Sequence, residues 1–79
     1  MTDNLLTATG EALYGPRWQS DLARDLGVSD RTMRRWAAGD DTPRPGVYAD
    51  LLRLTQARAT ALSALAAELG AMAASTPQR

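Results

Sequence analysis

The stretch Gln19-Ser-Asp-Leu-Ala-Arg-Asp-Leu-Gly-Val-Ser-Asp-Arg-Thr-Met-Arg-Arg-Trp36 decides the fold. Leu22 and Leu26 stand four apart and share one face of a helix, with Ala23 beside them, small enough for a second helix to cross closely. Gly27 supplies a tight turn at little steric cost, and Val28 follows as its apolar plug. Ser29 is placed to cap the next helix through its hydroxyl, and Asp30 in that helix's first turn suits the helix dipole. Met33, Trp36 and Ala37 then fall at i, i+3 and i+4 and turn inward together. The reading is two short helices joined by a sharp turn.

Once those three residues face a core, the opposite face carries Asp30, Arg31, Arg34 and Arg35, with Ser29 at its leading edge. A helix showing arginines beyond a tight helical corner fits the major groove of B-DNA. Each guanidinium can pair with guanine O6 and N7, at about 1–3 kcal/mol of base discrimination per good contact. Asp30 either accepts from cytosine N4 or holds Arg34 one turn on. Trp36 shares its face with Met33 and reads as core.

Upstream, a helix is predicted over 3–14, with Asp3 as its N-cap and Leu5, Leu6, Thr9, Ala12 and Leu13 as its inner face. Gly10 costs roughly 1 kcal/mol there relative to alanine. Its missing side chain lets another helix come close. Gly15-Pro16 ends this helix and opens the next, predicted over 16–25, because proline suits the first helical position. The third helix is predicted over 30–38, stopped by Gly39, and 40–46, with Pro43 and Pro45, reads as a loop. Tyr14 and Trp18 either pack across the Gly15-Pro16 turn or donate to a phosphate. Arg17 and Arg44 are each a phosphate clamp or an ordinary exposed arginine, and Arg53 and Arg58 read as surface.

Downstream, a single helix is predicted over 47–74, roughly 40 Å long at 1.5 Å per residue. Three short helices present about half that length, so Val47, Tyr48, Leu51 and Leu52 close the core while the far part outruns it. Leu62, Leu65, Leu69 and Met72 follow 3-4-3 spacing with alanines around them, but backwards the register meets Arg58 and Thr55. The favoured reading is a dimerisation helix; the other is a helix that bends back onto its own domain. The chain thus divides into a helix-turn-helix core over 1–46, the long helix over 47–74 and a flexible tail over 75–79.

Composition narrows the classes. The 79 residues make one all-α domain without cysteine or histidine, so disulfides and Cys/His metal sites are excluded. No Gly-rich phosphate loop or paired carboxylates are evident either, so neither an enzyme nor a cofactor or small-molecule ligand is expected. No run of ~18 apolar residues and no export signal appear, which leads to the expectation of a cytoplasmic protein without membrane contact. All nine basic residues are arginine, balanced by nine acidic ones to zero net charge, so position and not total charge carries the case for DNA.

From Gln19 to Trp36 the chain resembles the helix-turn-helix family of phage and bacterial repressors. Ala23, Gly27, Leu22, Leu26, Val28, Met33 and Trp36 stand where that family places them. The resemblance implies that Ser29, Asp30, Arg31, Arg34 and Arg35 face the bases and that Gln19 touches the backbone. Gln19 thereby joins Arg17, Thr32 and Arg44 as a candidate phosphate contact. The run from Val28 to Trp36 is also similar to the anti-CRISPR-associated regulators, short phage proteins that repress the operon encoding them. One departure is Trp18, which stands where the family often has a capping Ser or Thr. The expected function is a dimeric autorepressor that reads an inverted repeat in double-stranded DNA and is cytoplasmic, on the nucleoid when bound. The alternatives are a protein-binding helical module of the antitoxin or phage-inhibitor type, and a DNA-bending recombination factor.

Overall fold

The computed structural model describes residues 4–75, which contain four helices and no strand. They are α1 Asn4–Tyr14, α2 Trp18–Leu26, α3 Asp30–Ala38 and α4 Val47–Ser75, so the expected all-α class with a long last helix is what the chain adopts. The expected cap Asp3 lies outside the described residues, as do tail residues 76–79; Ser75, read as tail, still belongs to α4.

The ends of α2 and α3 are set by two glycines in the left-handed region, Gly27 at φ 74° and Gly39 at φ 84°. The Val28 N–H donates to Ala23 O at 2.9 Å and Asp40 N–H to Arg35 O at 2.9 Å, the six-to-one bond of a Schellman ending in both cases. α3 begins as expected. The Ser29 hydroxyl accepts from Thr32 N–H at 3.0 Å and satisfies one of the first-turn donors that no intrahelical carbonyl can reach.

α2 begins later than proline preference implies. Pro16 and Arg17 form a turn, and Arg17, at φ −103° and ψ 48°, is the cap position before Trp18. The reason is tertiary: Trp18 is buried and its ring lies on the backbone of Gly10, where a side-chain carbon would overlap it. The open position at Gly10 therefore admits a neighbouring helix, as the sequence implied.

Leu6, Trp18, Leu22, Ala23, Leu26, Met33, Trp36, Val47 and Leu51 form one buried cluster joining all four helices. Full burial of Leu6, Leu22, Met33 and Val47 contributes about 1.5–3 kcal/mol each. Several expected core positions lie elsewhere. Leu5 and Ala12 are exposed, Val28 is half-buried, and Tyr48 and Leu52 are exposed. Leu5, Tyr48 and Leu52 line an open apolar groove between α1 and α4 with Thr9, Leu51 and Thr55. One turn of α4 offers its narrow inner face to the core, and Val47 and Leu51 already fill it.

Arg58, read as surface, is exposed and in addition ties α4 to the rest. Its guanidinium donates to Leu13 O at 2.8 Å, a carbonyl at the end of α1, and lies 5.8 Å from the centre of the Tyr14 ring. The Tyr14 hydroxyl donates to the Asp25 carboxylate on α2. Burial first, and then the Asp25 hydrogen bond and charge, push the Tyr14 phenol up to about 12, against the opposing pull of Arg58. A raised folded-state value means stability is fully present below the ordinary phenol value near 10 and is lost as pH climbs toward 12. Urea denaturation between pH 9 and 12 is therefore expected to show a falling midpoint that Tyr14→Phe makes shallower. An unchanged slope in that variant would place the alkaline loss elsewhere.

From Thr55 to Ser75 every residue is exposed. A compact chain of this length has a radius of gyration of about 12 Å. The value here is 16.4 Å, with extents of 53 × 24 × 23 Å, because α4 runs far past the domain. No helix among the described residues is long and apolar enough to cross a membrane.

Candidate nucleic-acid interface

With Met33 and Trp36 buried and Ala37 half-buried, α3 turns Ser29, Asp30, Arg31, Arg34 and Arg35 outward, and all five are exposed. The face read from the sequence is thus assembled on one helix whose ends are both capped. Its members differ in what already holds them.

Arg31 and Arg34 have no hydrogen-bond, ion-pair or ring partner among the described residues. Arg35 is engaged: its Nε donates to Asp41 Oδ2 at 2.7 Å. Arg35's hydrogen bond, and then its charge, hold the Asp41 carboxyl below the usual carboxylate range. Asp30 does not hold Arg34. It accepts instead from the Ser20 hydroxyl at 3.1 Å, which ties the starts of α2 and α3 together.

The candidate phosphate contacts separate in the same way. Arg17 is exposed at the start of α2 without a partner among the described residues, and no side chain caps the first turn of that helix. Gln19 is half-buried in that same first turn, beside Arg17 and Ser20 along a shallow depression that includes Pro16. Open N–H groups at a helix start, next to a guanidinium, suit an anion. The late start of α2 is what brings Gln19 into that turn. Thr32 is half-buried, and its Oγ1 sits 3.0 Å from the Ser29 hydroxyl, inside the cap.

Arg44 is exposed, but its guanidinium is engaged with the fold. Its guanidinium donates to Leu26 O at 3.1 Å and lies 6.0 Å from the centre of the Trp36 ring, so it closes the end of α2 and pins the loop over the motif. Sequence reasoning missed Ser20 and Asp41. Ser20 lies ten residues from Asp30, and Asp41 lies six from Arg35 across a glycine turn. Neither separation is a helical one, so no periodicity signals them.

The assembled surface is the exposed face of α3 with two unengaged arginines, together with an uncapped helix start carrying a third. The remaining arginines among residues 4–75 outside this surface are spoken for: Arg24 pairs with Asp21 at 2.6 Å, Arg53 with Asp50 at 2.9 Å, and Arg44 and Arg58 bond backbone carbonyls. Among the described residues no cluster of acidic, histidine or cysteine side chains is arranged to hold a metal. Protein-family models, curated proteins and solved structures give no match to this chain.

Proposed function

We propose that this protein is a sequence-specific DNA-binding regulator that inserts α3 into the major groove and represses transcription, including that of its own operon, as a homodimer on an inverted repeat. The observation that carries this reading is the selective freedom of Arg31 and Arg34. On a surface where most arginines are paired, these two stand unengaged on the exposed side of a capped helix. An exposed arginine is expected to collect a carboxylate where one lies near. Two left open on one groove-sized helix fit a site kept for an external acceptor, and guanine O6 and N7 match their donor fork.

In this arrangement the start of α2, with Arg17 and Gln19, rests on the phosphate backbone and fixes the register of α3. Repression follows from occupying the promoter.

Fluorescence anisotropy with labelled DNA from immediately upstream of the gene, at two salt concentrations and against unrelated DNA, tests the proposal. Tight binding confined to the upstream DNA supports it. A steep salt dependence without sequence preference would make the protein a DNA-bending factor. Absence of binding to either DNA at micromolar protein would overturn the reading, and an acidic protein partner would then be the one to seek.

The Arg35–Asp41 pair gives a further check. Asp41→Asn keeps the turn's shape, releases Arg35 and removes a negative charge from the interface. Affinity for the operator is expected to rise several-fold, and the salt dependence to steepen by about one counterion. Weaker binding in that variant would show that Asp41 positions Arg35 for its contact.

A further inference from the structure

We propose that residues 59–75 of α4 pair antiparallel with the same segment of a second copy, centred on Ala67, with Leu62 opposite the partner's Met72 and Leu65 opposite the partner's Leu69. The proposal deepens the homodimer part of the preceding section and is independent of whether the ligand is DNA.

The first observation is continuity of one helix face. Val47, Leu51, Leu54, Arg58, Leu62, Leu65, Leu69 and Met72 follow in steps of three and four along α4 and lie on a single stripe. The first three pack into the domain and Arg58 reaches the end of α1. The last four are 55%, 51%, 59% and 65% exposed. The domain therefore sits on the same side of α4 as the apolar stripe, at the other end of the helix.

The second observation is area. A folded monomer of this mass has roughly 4,700 Å² of accessible surface. This chain has 5,765 Å². The excess over the whole chain, about 1,000 Å², is of the same order as the ~800 Å² that each partner buries in a standard interface. The overhang 59–75, exposed at every residue, is the element able to supply such a surface. Within 59–75 the only charged residue is Glu68, and Ala59, Ala61, Ala66 and Ala73 beside the stripe allow close approach of helices. A surface of this size with so little charge fits burial against an equal.

The third observation selects the direction. In a parallel pair the two stripes would face each other along their whole length, and both domains would have to occupy the gap between the helices. The whole molecule, α4 included, is 24 and 23 Å across its long axis. Beyond the roughly 10 Å of α4 itself, each domain therefore stands on the order of 10 Å off the helix. Two of them do not fit between paired helix axes that lie about 8–10 Å apart. In an antiparallel pair centred on Ala67, Ser75 comes level with position 59 of the other copy, so among the described residues each helix ends before the other copy's domain. The 59–75 overhang has Ala67 at its middle, and the 3-4-3 quartet is symmetric about that same residue. Centring the pair there overlaps the helices along about 25 Å and matches the apolar quartet to its own copy over about 15 Å of that length.

Because the native chain has no cysteine, single introduced thiols report the geometry directly. Full-length Leu62→Cys and Met72→Cys chains with different tags would be oxidised separately and as a mixture, with sedimentation and circular dichroism confirming association and helix content. Antiparallel pairing predicts strong cross-linking only in the mixture, since two copies of position 62 would stand about 15 Å apart, beyond disulfide reach. Self-cross-linking of Leu62→Cys would overturn the direction, and a monomer at 100 μM by sedimentation would overturn the pairing. A dimer that cross-links in neither form would place the interface elsewhere. No DNA is present, so each of these failures leaves the DNA reading untouched, and failure to bind DNA leaves this one untouched.

Discussion

Replacing Arg31 and Arg34 together by alanine is expected to weaken operator binding by a factor of about 100 or more while leaving the melting temperature unchanged. Each good guanidinium–guanine contact is worth about 1–3 kcal/mol, and every 1.4 kcal/mol is roughly tenfold. Stability should hold because both side chains are exposed and bond nothing among the described residues, and alanine is at least as good a helix former as arginine. Arg35→Ala is expected to cost less, since its guanidinium is already shared with Asp41. Arg53→Ala, which removes one positive charge from the far side of α4, should change affinity only slightly. If Arg53→Ala weakened binding as much as Arg34→Ala alone, total charge and not the α3 face would be responsible, and the proposed groove contact would fall.

The largest effect on stability is expected at a glycine. A side-chain carbon added at Gly10 lies 2.5 Å from Cδ2 of Trp18, 3.0 Å from Cγ, and nearer still to Cε3. Real contacts of this kind do not come below about 3.0 Å, and the obstacle is a buried ring that has no free end to swing away. Overpacking a core costs typically about 1–3 kcal/mol and more where a rigid group must move. Against this stands a gain of about 1 kcal/mol in helix propensity. A net loss of about 2 kcal/mol is expected, which for a domain of this size lowers the melting temperature by roughly 8–16 °C. Gly70→Ala is the matched control. Position 70 also lies in a helix, but nothing lies within 4 Å of an added carbon, so the same change there should be neutral or stabilising by up to about 1 kcal/mol. Equal behaviour at the two positions would show that Trp18 does not hold its place against α1.

What could be read from the residues and what could not follows the range of the forces involved. α3 was legible to the residue because its signals are local: a serine cap at one end, a left-handed glycine at the other, and an apolar face at helical spacing between. The start of α2 was misplaced by two residues. Proline's preference for the first helical turn is a local bias, and the burial of Trp18 against Gly10, eight residues away on another helix, outweighed it. The arginines show the same division. Their outward direction on α3 followed from periodicity, but which were already engaged did not. Arg35, Arg44 and Arg58 find partners 6, 18 and 45 residues away, at separations that no helical period marks. The corner of two helices was therefore plain from the sequence, while the distinction between open and committed arginines needed the fold.

The unbroken course of α4 has a consequence for insertions and deletions. The helix passes from the core to the overhang without a turn, and Arg58 fastens it to the end of α1 just before the exposed quartet begins. The direction in which the quartet points, relative to α3, is then set by residue count alone. Each residue inserted between Arg58 and Leu62 would swing the stripe by about 100° and carry it about 1.5 Å outward. Two extra residues would turn it to the far side; seven would return it nearly to its original bearing, about 10 Å further from the domain. Length variants of this architecture that keep the stripe on the domain's side of α4 should therefore differ by whole turns, in steps such as seven or eleven residues, and not by two.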